Sequence, residues 1–568
     1  TFLKSHPQTT LRSMQMADAL ICLYDLIGEA LPAPLAKKLH VVRQSALPLP
    51  GPRRPAMRNF DVCVIGHLRD EKDPFRTALA ARRLPSDSRI RVAVIGAGAA
   101  GILAAIKLQE YGVEEVRVFE KESDLGGTWL DNTYPGLICD VPSHLYRFSF
   151  APNPDWSRTF SPGSEIYAYM REVAESNNVE QMVSYNSEVT KLHYEGTQWN
   201  LWTTRGDEGK FDVVISAVGI LHHPVYPDIE GVENFEGDCF HSSRWNHDVS
   251  LKGKRIGIIG TGSTAVQIVG AVIDDVAELS LFQRTPQWVL AAPNDFYSEE
   301  SKALYRSDPK QMEQAYQGLA TTLNHGFAAA VVGENEEALL MLQNGCQQNL
   351  DENIHDPELR SKLTPDYSAG CKRLIVSDLF YPAISKPNAG LVIEGISRIE
   401  AKGIRTSVGH LHELDVLVFA TGFDAHRFLA DAEVVGLNGK TLEQSWSRGN
   451  YAYKTICVPD FPNLFFVGGP HSPIGNFSYL LTAETQYAYV EKLIGLIRDG
   501  TVNEINPRMD TTQFFNERLN DAMPKTVWAS GCQSWYFDHF GRVASWPWTF
   551  DRFEEELSEP VLADFQVD

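Results

Sequence analysis

Short apolar runs alternate with stretches of helical periodicity from residue 89 onward. The run Ile90–Ile95 is rich in β-branched residues and is followed by apolar residues at helical spacing, among them Ile102 and Ile106. A second apolar run, Arg255–Ile259, is likewise followed by a stretch with helical spacing of apolar residues. Strands that alternate with helices in this way are typical of doubly wound parallel sheets. The pattern therefore predicts an α/β fold with two Rossmann-like units.

The first 88 residues follow a different pattern. Apolar positions between Ala17 and Leu39 favour amphipathic helices, and they are Leu20, Leu23, Leu26, Ile27, Leu31 and Leu35. The Pro-rich stretch Leu47–Pro55 cannot continue a helix and is typical of an extended linker. We expect an N-terminal helical extension that caps the main body. The alternative is an arm that joins two copies into a homodimer.

Two further segments interrupt the alternation. Residues 296–366 are polar, poor in Gly and helical in composition, which predicts a helical insertion. Aromatic residues gather near the C-terminus, where we expect most of them to form a packed hydrophobic edge. They are Trp528, Trp535, Tyr536, Trp546, Trp548 and Phe550.

The composition disfavours several classes of partner. The 568 residues are 43% hydrophobic and 22% charged, which is ordinary for a globular protein of two or three domains. The net charge of −22 disfavours nucleic acid and anionic membrane surfaces. The chain has no apolar run of membrane-spanning length, and its first residues lack the features of a signal peptide.

The eight cysteines are scattered and form no C-x-x-C pair. This spacing argues against a zinc site and against a disulfide framework, and it favours a reducing, cytoplasmic setting. It also counts against the disulfide reductases, which are flavoproteins that need a closely spaced cysteine pair. We expect no metal in the site.

The first Gly-rich loop follows the first predicted strand. Gly96, Gly98 and Gly101 form G-x-G-x-x-G between a strand and a helix, which favours the binding of a dinucleotide pyrophosphate at the helix N-terminus. The next strand ends at Glu120. A carboxylate there accepts hydrogen bonds from ribose hydroxyls and repels a 2′-phosphate. This loop therefore predicts FAD or NAD, and not NADP.

A second loop follows Arg255–Ile259. Its residues Gly260, Thr261, Gly262 and Ser263 begin G-T-G-S-T-A, and Ala for the third Gly is a common variant. Arg284 lies as far from Gly260 as Glu120 lies from Gly96. Because a guanidinium suits a 2′-phosphate through paired charged hydrogen bonds, this loop predicts NADPH, and the first loop then takes FAD.

The two loops suggest a domain organisation. We expect an N-terminal extension and linker over 1–88, and a first part of the FAD-binding domain over 89–222. The NADPH-binding domain with its insertion then covers 223–424. The second part of the FAD-binding domain, with a substrate-site segment at its C-terminal end, covers 425–568.

Between the loops lies the string Phe235–Trp245, which has the form F-x-G-x-x-x-H-x-x-x-W at Phe235, Gly237, His241 and Trp245. It resembles the fingerprint of Baeyer–Villiger monooxygenases, which are class B flavoprotein monooxygenases. The N-terminal extension is similar to that of the 4-hydroxyacetophenone monooxygenase group. The resemblance implies that His241 lies at the junction of the domains, so we interpret the string as a hinge.

Three other segments carry the same resemblance. Gly127, Trp129 and Asp140 belong to a stretch that resembles the family's G-x-W-x-x-x-x-Y-P-G-x-x-x-D motif, which implies that Asp140 lies beside the flavin. Lys372 and Arg373 resemble the family's NADPH-binding Lys and active-site Arg. The resemblance also implies that Thr285 helps to bind the 2′-phosphate and that Trp528 lies near the nicotinamide.

The resemblance implies an NADPH- and dioxygen-dependent oxidation of a ketone to an ester or lactone through a flavin peroxide. Arg373 would supply a permanent positive charge for the anionic oxygen species, and Asp140 would orient it. Two alternatives use the same fold: oxygenation of a nitrogen or sulfur atom, and an uncoupled NADPH oxidase. A nucleotide-binding protein without enzymatic activity is the third. The expected partners are FAD, NADPH, dioxygen and a small ketone.

Overall fold

The computed structural model describes residues 90–566 and, before them, three short strands. These strands, Ala19–Cys22, Leu39–Val41 and Val62–Val64, form a parallel sheet with Ala19–Cys22 at its centre. They belong to a compact unit of Thr1–Arg89 and Gly495–Val502, and a second unit comprises the rest of the chain.

The prediction of helix is wrong at Ala19–Cys22, which is a strand. Its four residues, Ala-Leu-Ile-Cys, are an unbroken apolar run, and such a run is compatible with a buried strand as well as with a helix. The remainder of the predicted helices, the Pro-rich linker and the dimerisation arm lie outside the described residues.

The first main sheet has five parallel strands around the first Gly-rich loop. Their order across the sheet is Leu464–Phe466, Val213–Ser216, Arg91–Ile95, Glu115–Phe119 and Val183–Ser184. The strand before the loop is central and almost completely buried, and the helix Ala99–Glu110 follows it.

The second main sheet repeats this plan with five parallel strands. Their order is Asp238–His241, Val416–Phe419, Arg255–Ile259, Glu278–Phe282 and Ala389–Val392. The helix Ser263–Val272 follows the second loop and packs into the core of this sheet. Two Rossmann-like parallel sheets, each with the strand before its Gly-rich loop at the centre, confirm the predicted fold class.

The smaller elements complete the strands and helices around the two sheets. A four-stranded sheet contains Glu433–Val435, Val189–Glu195, Gln198–Thr203 and Gly206–Phe211 in that order. A three-stranded antiparallel sheet contains Ile396–Glu400, Gly403–Thr406 and Leu411–Glu413. Two strand pairs are Val289–Leu290 with Ile375–Val376, and Asn506–Pro507 with Phe565–Gln566. The remaining α-helices outside the insertion are Thr128–Asp131, Gly163–Ser176, Phe380–Ile384, Leu442–Ser445, Tyr479–Arg498, Met509–Ala522 and Phe550–Glu556.

The segment predicted as a helical insertion is helical. Its longer helices are Glu299–Ser307, Pro309–Thr322, Glu336–Asn353 and Pro357–Leu363, with a π-helical turn at Leu323–Ala328. Asp308 and Asp356 each accept a hydrogen bond from a backbone N–H of the first turn, and each precedes a Pro at the first helical position. Such Asp-Pro pairs favour helix starts because the side chain satisfies a free N–H and Pro fixes the backbone angle.

The expectation of no disulfide is wrong, because Cys371 and Cys532 are bonded across 161 positions of the chain. The sequence argument rested on local spacing, whereas the fold brings two distant segments together. The cysteine pattern therefore no longer supports a reducing setting. Four other described cysteines are free thiols, namely Cys139, Cys239, Cys346 and Cys457.

The helices that the structure describes include none with the length and apolar character needed to cross a membrane.

Candidate active site

Each Gly-rich loop turns sharply between its strand and its helix. Gly96 has a φ of +99° and Gly260 a φ of +115°, values that favour glycine. A Cβ at Gly96 would lie 2.7 Å from the carbonyl oxygen of Ala217, and one at Gly260 would lie 2.3 Å from that of Ala420. Both turns therefore need glycine for conformation and for space.

A cleft that is partly open to solvent lies over the first loop. It is lined by residues predicted to bind FAD, which are Gly96, Gly98, Glu120, Gly127 and Trp129. Gly101 does not line the cleft, and a Cβ at this position would lie 1.9 Å from the backbone oxygen of Gly96. Its role is to let the helix approach the turn.

Glu120 is buried at the end of its strand, as the sequence predicts. Its Oε2 accepts a hydrogen bond from the backbone N–H of Ala97 at 2.6 Å, and its Oε1 accepts one from Glu122 at 2.8 Å. Burial raises the pKa of Glu120, and these two hydrogen bonds oppose that rise. The carboxylate is thus held against the loop, with lone pairs left over for ribose hydroxyls.

The motif from Gly127 to Asp140 runs from the cleft to the second loop's helix. Trp129 donates its indole N–H to the Tyr146 hydroxyl at 3.3 Å, and both residues line the cleft. Farther along, the Tyr134 hydroxyl donates to Oε1 of Gln267 at 2.9 Å. The motif therefore connects the elements that follow the two loops.

Asp140 and Arg373 form a bidentate ion pair. Arg373 donates from Nε to Oδ2 at 2.9 Å and from Nη2 to Oδ1 at 2.5 Å. The two side chains are 20% and 27% exposed, so each retains contact with open space. Burial is the largest single influence and lowers the pKa of Arg373, but the charge and hydrogen bonding of Asp140, together with Tyr536 and Cys139, hold that pKa above its usual value.

The second loop brings two positive charges together. Arg284 is exposed just after its strand. Burial and the charge of Arg284 lower the pKa of Lys372, and Asp366 acts in the opposite direction. Two cations that repel each other at one place suit an anionic group between them. Thr261 donates its hydroxyl to the backbone oxygen of Thr285 at 2.8 Å, and Ser263 begins the following helix.

The string Phe235–Trp245 contributes the edge strand of the second sheet. His241 ends this strand, and its Nδ1 accepts a hydrogen bond from the backbone N–H of Ser243 at 3.1 Å. Burial lowers the pKa of His241 to about 4. Arg244, which follows, lies 3.5 Å from Glu122 and 3.7 Å from Asp131, both on the cleft. The string therefore reaches from the second sheet to the first site.

The other fingerprint positions pack around this strand. Trp245 packs its ring against Phe240 at 5.0 Å between centroids. A Cβ at Gly237 would lie 2.5 Å from the backbone oxygen of Asp415, and Phe235 packs on a neighbouring apolar cluster. These three positions have structural roles in the fold.

The C-terminal aromatic residues lie in two different surroundings. Trp546 and Phe550 pack in the interior, as the sequence predicts. Trp528 and Tyr536 instead pack with Cys371 and Cys532 beside the Lys372–Arg373 segment. The indole N–H of Trp528 is buried and has no acceptor among the described residues.

The sequence reasoning missed Asn476 and Ser478. Asn476 is 1% exposed, yet neither of its amide atoms has a hydrogen-bond partner within residues 90–566. The Ser478 hydroxyl is likewise buried and unpartnered within that range. The next residue, Tyr479, lines the cleft. A Gly-Asn pair in sequence indicates only a turn, so nothing local marks this amide as buried.

These observations fit FAD at the first loop. The cleft has the glycine turn and the buried carboxylate, and the unpartnered buried atoms of Asn476 and Ser478 lie just before Tyr479, which lines it. They also fit NADPH at the second loop, where Arg284 and Lys372 leave a site for a phosphate. The fold and site thus define a flavoprotein with two dinucleotide sites and a bidentate ion pair, Asp140–Arg373.

Comparisons with known proteins agree with this definition. The family described as flavin-binding monooxygenase-like matches residues 89–301. A Baeyer–Villiger monooxygenase of Streptomyces coelicolor is 39% identical over 483 residues, which cover 84% of this chain and 92% of that protein. One from Pseudomonas aeruginosa is 37% identical over 466 residues, covering 81% and 88%. The chain therefore belongs to the Baeyer–Villiger monooxygenases of the flavin-binding monooxygenase-like family.

Solved structures show the same similarity. A steroid monooxygenase bound to NADP is 27% identical, with a TM-score of 0.75, and the match covers 84% of this chain and 99% of that one. The cyclohexanone monooxygenase from Rhodococcus sp. Phi1, bound to NADP⁺, is 28% identical with the same TM-score and the same coverages. This confirms the family resemblance and the fold predicted from the sequence.

Proposed function

We infer that this protein is an FAD-dependent NADPH monooxygenase that inserts one oxygen atom from dioxygen beside a ketone carbonyl, giving an ester or lactone. The observation that carries this conclusion is the bidentate pair of Asp140 and Arg373. A permanent cation there suits a reaction in which negative charge develops on oxygen.

The FAD site that we propose uses Gly96, Gly98, Glu120 and Trp129, with Asn476 as an addition. FAD, when bound, supplies the redox chemistry that takes electrons from NADPH and activates dioxygen. Glu120 would accept hydrogen bonds from ribose hydroxyls, and the loop backbone would approach the pyrophosphate. The unpartnered amide of Asn476 matches a polar ring edge that both donates and accepts.

We propose that Arg373 stabilises negative charge in the site and that Asp140 orients Arg373. Arg373 stays protonated at any working pH and stabilises negative charge on substrate and oxygen atoms. The Asp140 carboxylate accepts hydrogen bonds from two guanidinium nitrogens of Arg373, which fixes the plane of the guanidinium. Each side chain is partly exposed, so the pair can reach a bound substrate.

The 2′-phosphate of NADPH is assigned in this proposal to Arg284 and Lys372. Their mutual repulsion is relieved when an anion binds between them. Thr285 is held by Thr261, which keeps the turn after the strand in place. Trp528 would donate its unpartnered indole N–H to the cofactor.

We propose that the string Phe235–Trp245 couples the two dinucleotide sites. His241 is neutral at neutral pH because burial lowers its pKa to about 4, so it is unsuited to act as a general acid. Its contact with Ser243 fixes the turn that projects Arg244 toward the cleft. A movement of the second sheet would thereby reach the FAD site.

The test is a product analysis with the purified, flavin-loaded protein. Cyclic, linear and aryl ketones are supplied with NADPH and ¹⁸O₂, and the ester or lactone formed is compared with the NADPH consumed. One ¹⁸O atom in the new ester bond is the expected result. Oxygenated amines or sulfides without any ester would favour heteroatom oxygenation, and hydrogen peroxide alone would favour an oxidase.

A further inference from the structure

Gln486 carries a buried amide whose hydrogen bonds join three separate segments of the chain. It lies on the helix Tyr479–Arg498 and is 0% exposed. Its Oε1 accepts a hydrogen bond from the backbone N–H of Gly468 at 2.7 Å. Its Nε2 donates to Oγ1 of Thr455 at 2.7 Å and to Oγ of Ser472 at 2.8 Å. All three bonds have the length of good hydrogen bonds, and all three lie in the interior.

The partners fix the orientation of this amide. A backbone N–H can only donate, so the amide oxygen of Gln486 faces Gly468 and the amide nitrogen faces the two hydroxyls. The Ser472 hydroxyl accepts from Gln486 and donates in turn to the backbone oxygen of Gly469 at 2.7 Å. Exchange of the amide oxygen and nitrogen would set one donor against another, so the amide has a single arrangement.

The segment that Gln486 holds is the 468–478 loop. This loop joins an edge strand of the first main sheet to the helix that carries Gln486. It contains Asn476 and Ser478, whose buried side-chain polar atoms have no partner within residues 90–566. The next residue, Tyr479, lines the cleft over the first Gly-rich loop. The loop therefore brings unpartnered polar groups to the FAD site.

The backbone of the 468–478 loop is irregular. Its φ angles are +75° at Gly468, +62° at His471 and +102° at Gly475. A loop with such turns does not belong to a hydrogen-bonded ladder, so side chains from other segments must help to fix its shape. Gln486 does so at the first residue of the loop and again at Ser472, near its middle.

The third partner, Thr455, is in a strained conformation. It is buried, and its φ of +65° is unusual for a β-branched residue. A Cβ at Gly469 would lie 2.4 Å from the backbone oxygen of Thr455, so the strained turn packs directly on the loop. Such strain persists only where surrounding contacts hold it, and Gln486 provides one of these contacts. The amide thus fixes the turn and the loop against each other.

We propose that Gln486 is a positioning residue for the FAD site, and that its amide holds the 468–478 loop so that Asn476 and Ser478 are in place before the flavin binds. This proposal rests on the proposed function, which assigns Asn476 to FAD. Gln486 is not among the residues that line the cleft, so it acts through the loop. A site that is already ordered binds its ligand more tightly, because less freedom is lost on binding.

The first experiment measures the order of the loop by hydrogen–deuterium exchange in the full-length protein with saturating FAD. Gln486→Met keeps a long side chain but leaves the N–H of Gly468 without its acceptor. We expect peptides that cover 468–478 to exchange at least about tenfold faster. The control is Asn349→Leu, which removes another buried amide, one that donates to the backbone oxygen of Val289. Unchanged exchange of the 468–478 peptides in Gln486→Met overturns the proposal.

The second experiment asks whether Gln486 acts through the loop. Ultrafiltration of the FAD-loaded protein at a series of dilutions gives the Kd for FAD. Gln486→Met should raise this Kd by roughly tenfold, whereas Asn349→Leu should leave it unchanged. In a protein that already carries Asn476→Ala and Ser478→Ala, Gln486→Met should change the Kd by less than about threefold, because the groups that it positions are gone. A full further rise in that background would show a general structural effect and would overturn the proposal.

A milder variant serves if Gln486→Met does not fold. Ser472→Ala removes the hydroxyl that accepts from Nε2 of Gln486 and keeps the amide in place. We expect the same two changes at a smaller size, with about threefold faster exchange of the loop and about threefold weaker FAD binding. A Ser472→Ala protein with wild-type exchange and wild-type Kd refutes the role of the amide.

These measurements do not depend on the oxygenation reaction. A wild-type protein that binds FAD but forms no ester from any ketone refutes the proposed function, and loop exchange and the Kd for FAD still decide the role of Gln486. Ester formation by the wild type, together with unchanged loop exchange and unchanged Kd in Gln486→Met, refutes the positioning role alone.

Discussion

The Tyr134 hydroxyl donates a hydrogen bond to Oε1 of Gln267, which connects the motif after the first loop to the helix after the second. Gln267 also donates from Nε2 to the backbone oxygen of Ile138, two residues before Asp140. A shift of this helix therefore moves the backbone beside Asp140. The geometry of the ion pair is coupled to the position of the second dinucleotide site.

Removal of the guanidinium should stop oxygen transfer and spare flavin reduction. For Arg373→Ala we expect at least ~100-fold less ester, because a fixed charge aimed at developing negative charge is lost. Arg373→Lys keeps the charge but cannot bind Asp140 through two nitrogens, so we expect an intermediate loss. Ester formation and anaerobic flavin reduction are measured by chromatography and stopped flow. Normal ester yield in the alanine variant would refute the assignment of Arg373.

The choice of NADPH should depend on Arg284. Arg284→Ala removes a charged hydrogen bond to the 2′-phosphate, which corresponds to about 1.5–3 kcal/mol of binding. We expect KM for NADPH to rise by roughly tenfold or more, while KM for NADH changes little. Lys402→Ala removes an exposed cation elsewhere and serves as the control. Equal losses with both cofactors would contradict the role in phosphate recognition.

Loss of the disulfide should lower stability. Replacement of Cys371 and Cys532 by Ala removes a cross-link that closes a long loop, and we expect the free energy of unfolding to fall by about 2–4 kcal/mol. Dithiothreitol should lower the Tm of the wild type and leave that of the double variant unchanged. The control is Cys239→Ala, which removes an exposed free thiol. Peptide mapping that finds both cysteines as free thiols would contradict the bond.

The buried His144 should make the protein sensitive to acid. Neither ring nitrogen has a partner in the described part of the chain, and the ring lies between Tyr297 and Tyr305. Burial lowers the pKa of His144 to about 4 from 6.5. As pH falls below 6.5 the unfolded state binds a proton that the folded state does not, so stability decreases.

His144→Phe should therefore improve stability at pH 5 by about 1–2 kcal/mol relative to its effect at pH 8. Denaturant titrations at the two pH values measure this difference. His355→Gln, at an exposed position, is the matched control. If the free energy of unfolding changes between pH 8 and pH 5 by the same amount in His144→Phe and in the wild type, His144 does not contribute.

The sequence predicted the parts of the site that depend on local pattern. A strand, a Gly turn and a helix occur at both loops, and Glu120 and Arg284 follow the ends of the next strands, Glu115–Phe119 and Glu278–Phe282. Their positions follow from backbone geometry within some thirty residues, which a single sequence displays.

The contacts that depend on distant packing were not predictable. Cys371 and Cys532, which are 161 positions apart in the chain, are brought together by the fold. Asn476 is buried without a partner for the same reason. Such contacts arise when segments far apart in sequence meet, and no local periodicity records them.

The bond between Cys371 and Cys532 also has a consequence for protein engineering. Chimeras that exchange C-terminal segments among relatives are a natural way to alter the substrate range. Here the disulfide links the Lys372–Arg373 turn covalently to the Trp528–Tyr536 turn, although the chain between them contributes one strand to the first main sheet and two to the second. A recombination point placed anywhere between the two turns should preserve this bond only when both halves come from parents that carry the same cysteine pair, and the other chimeras should be less stable.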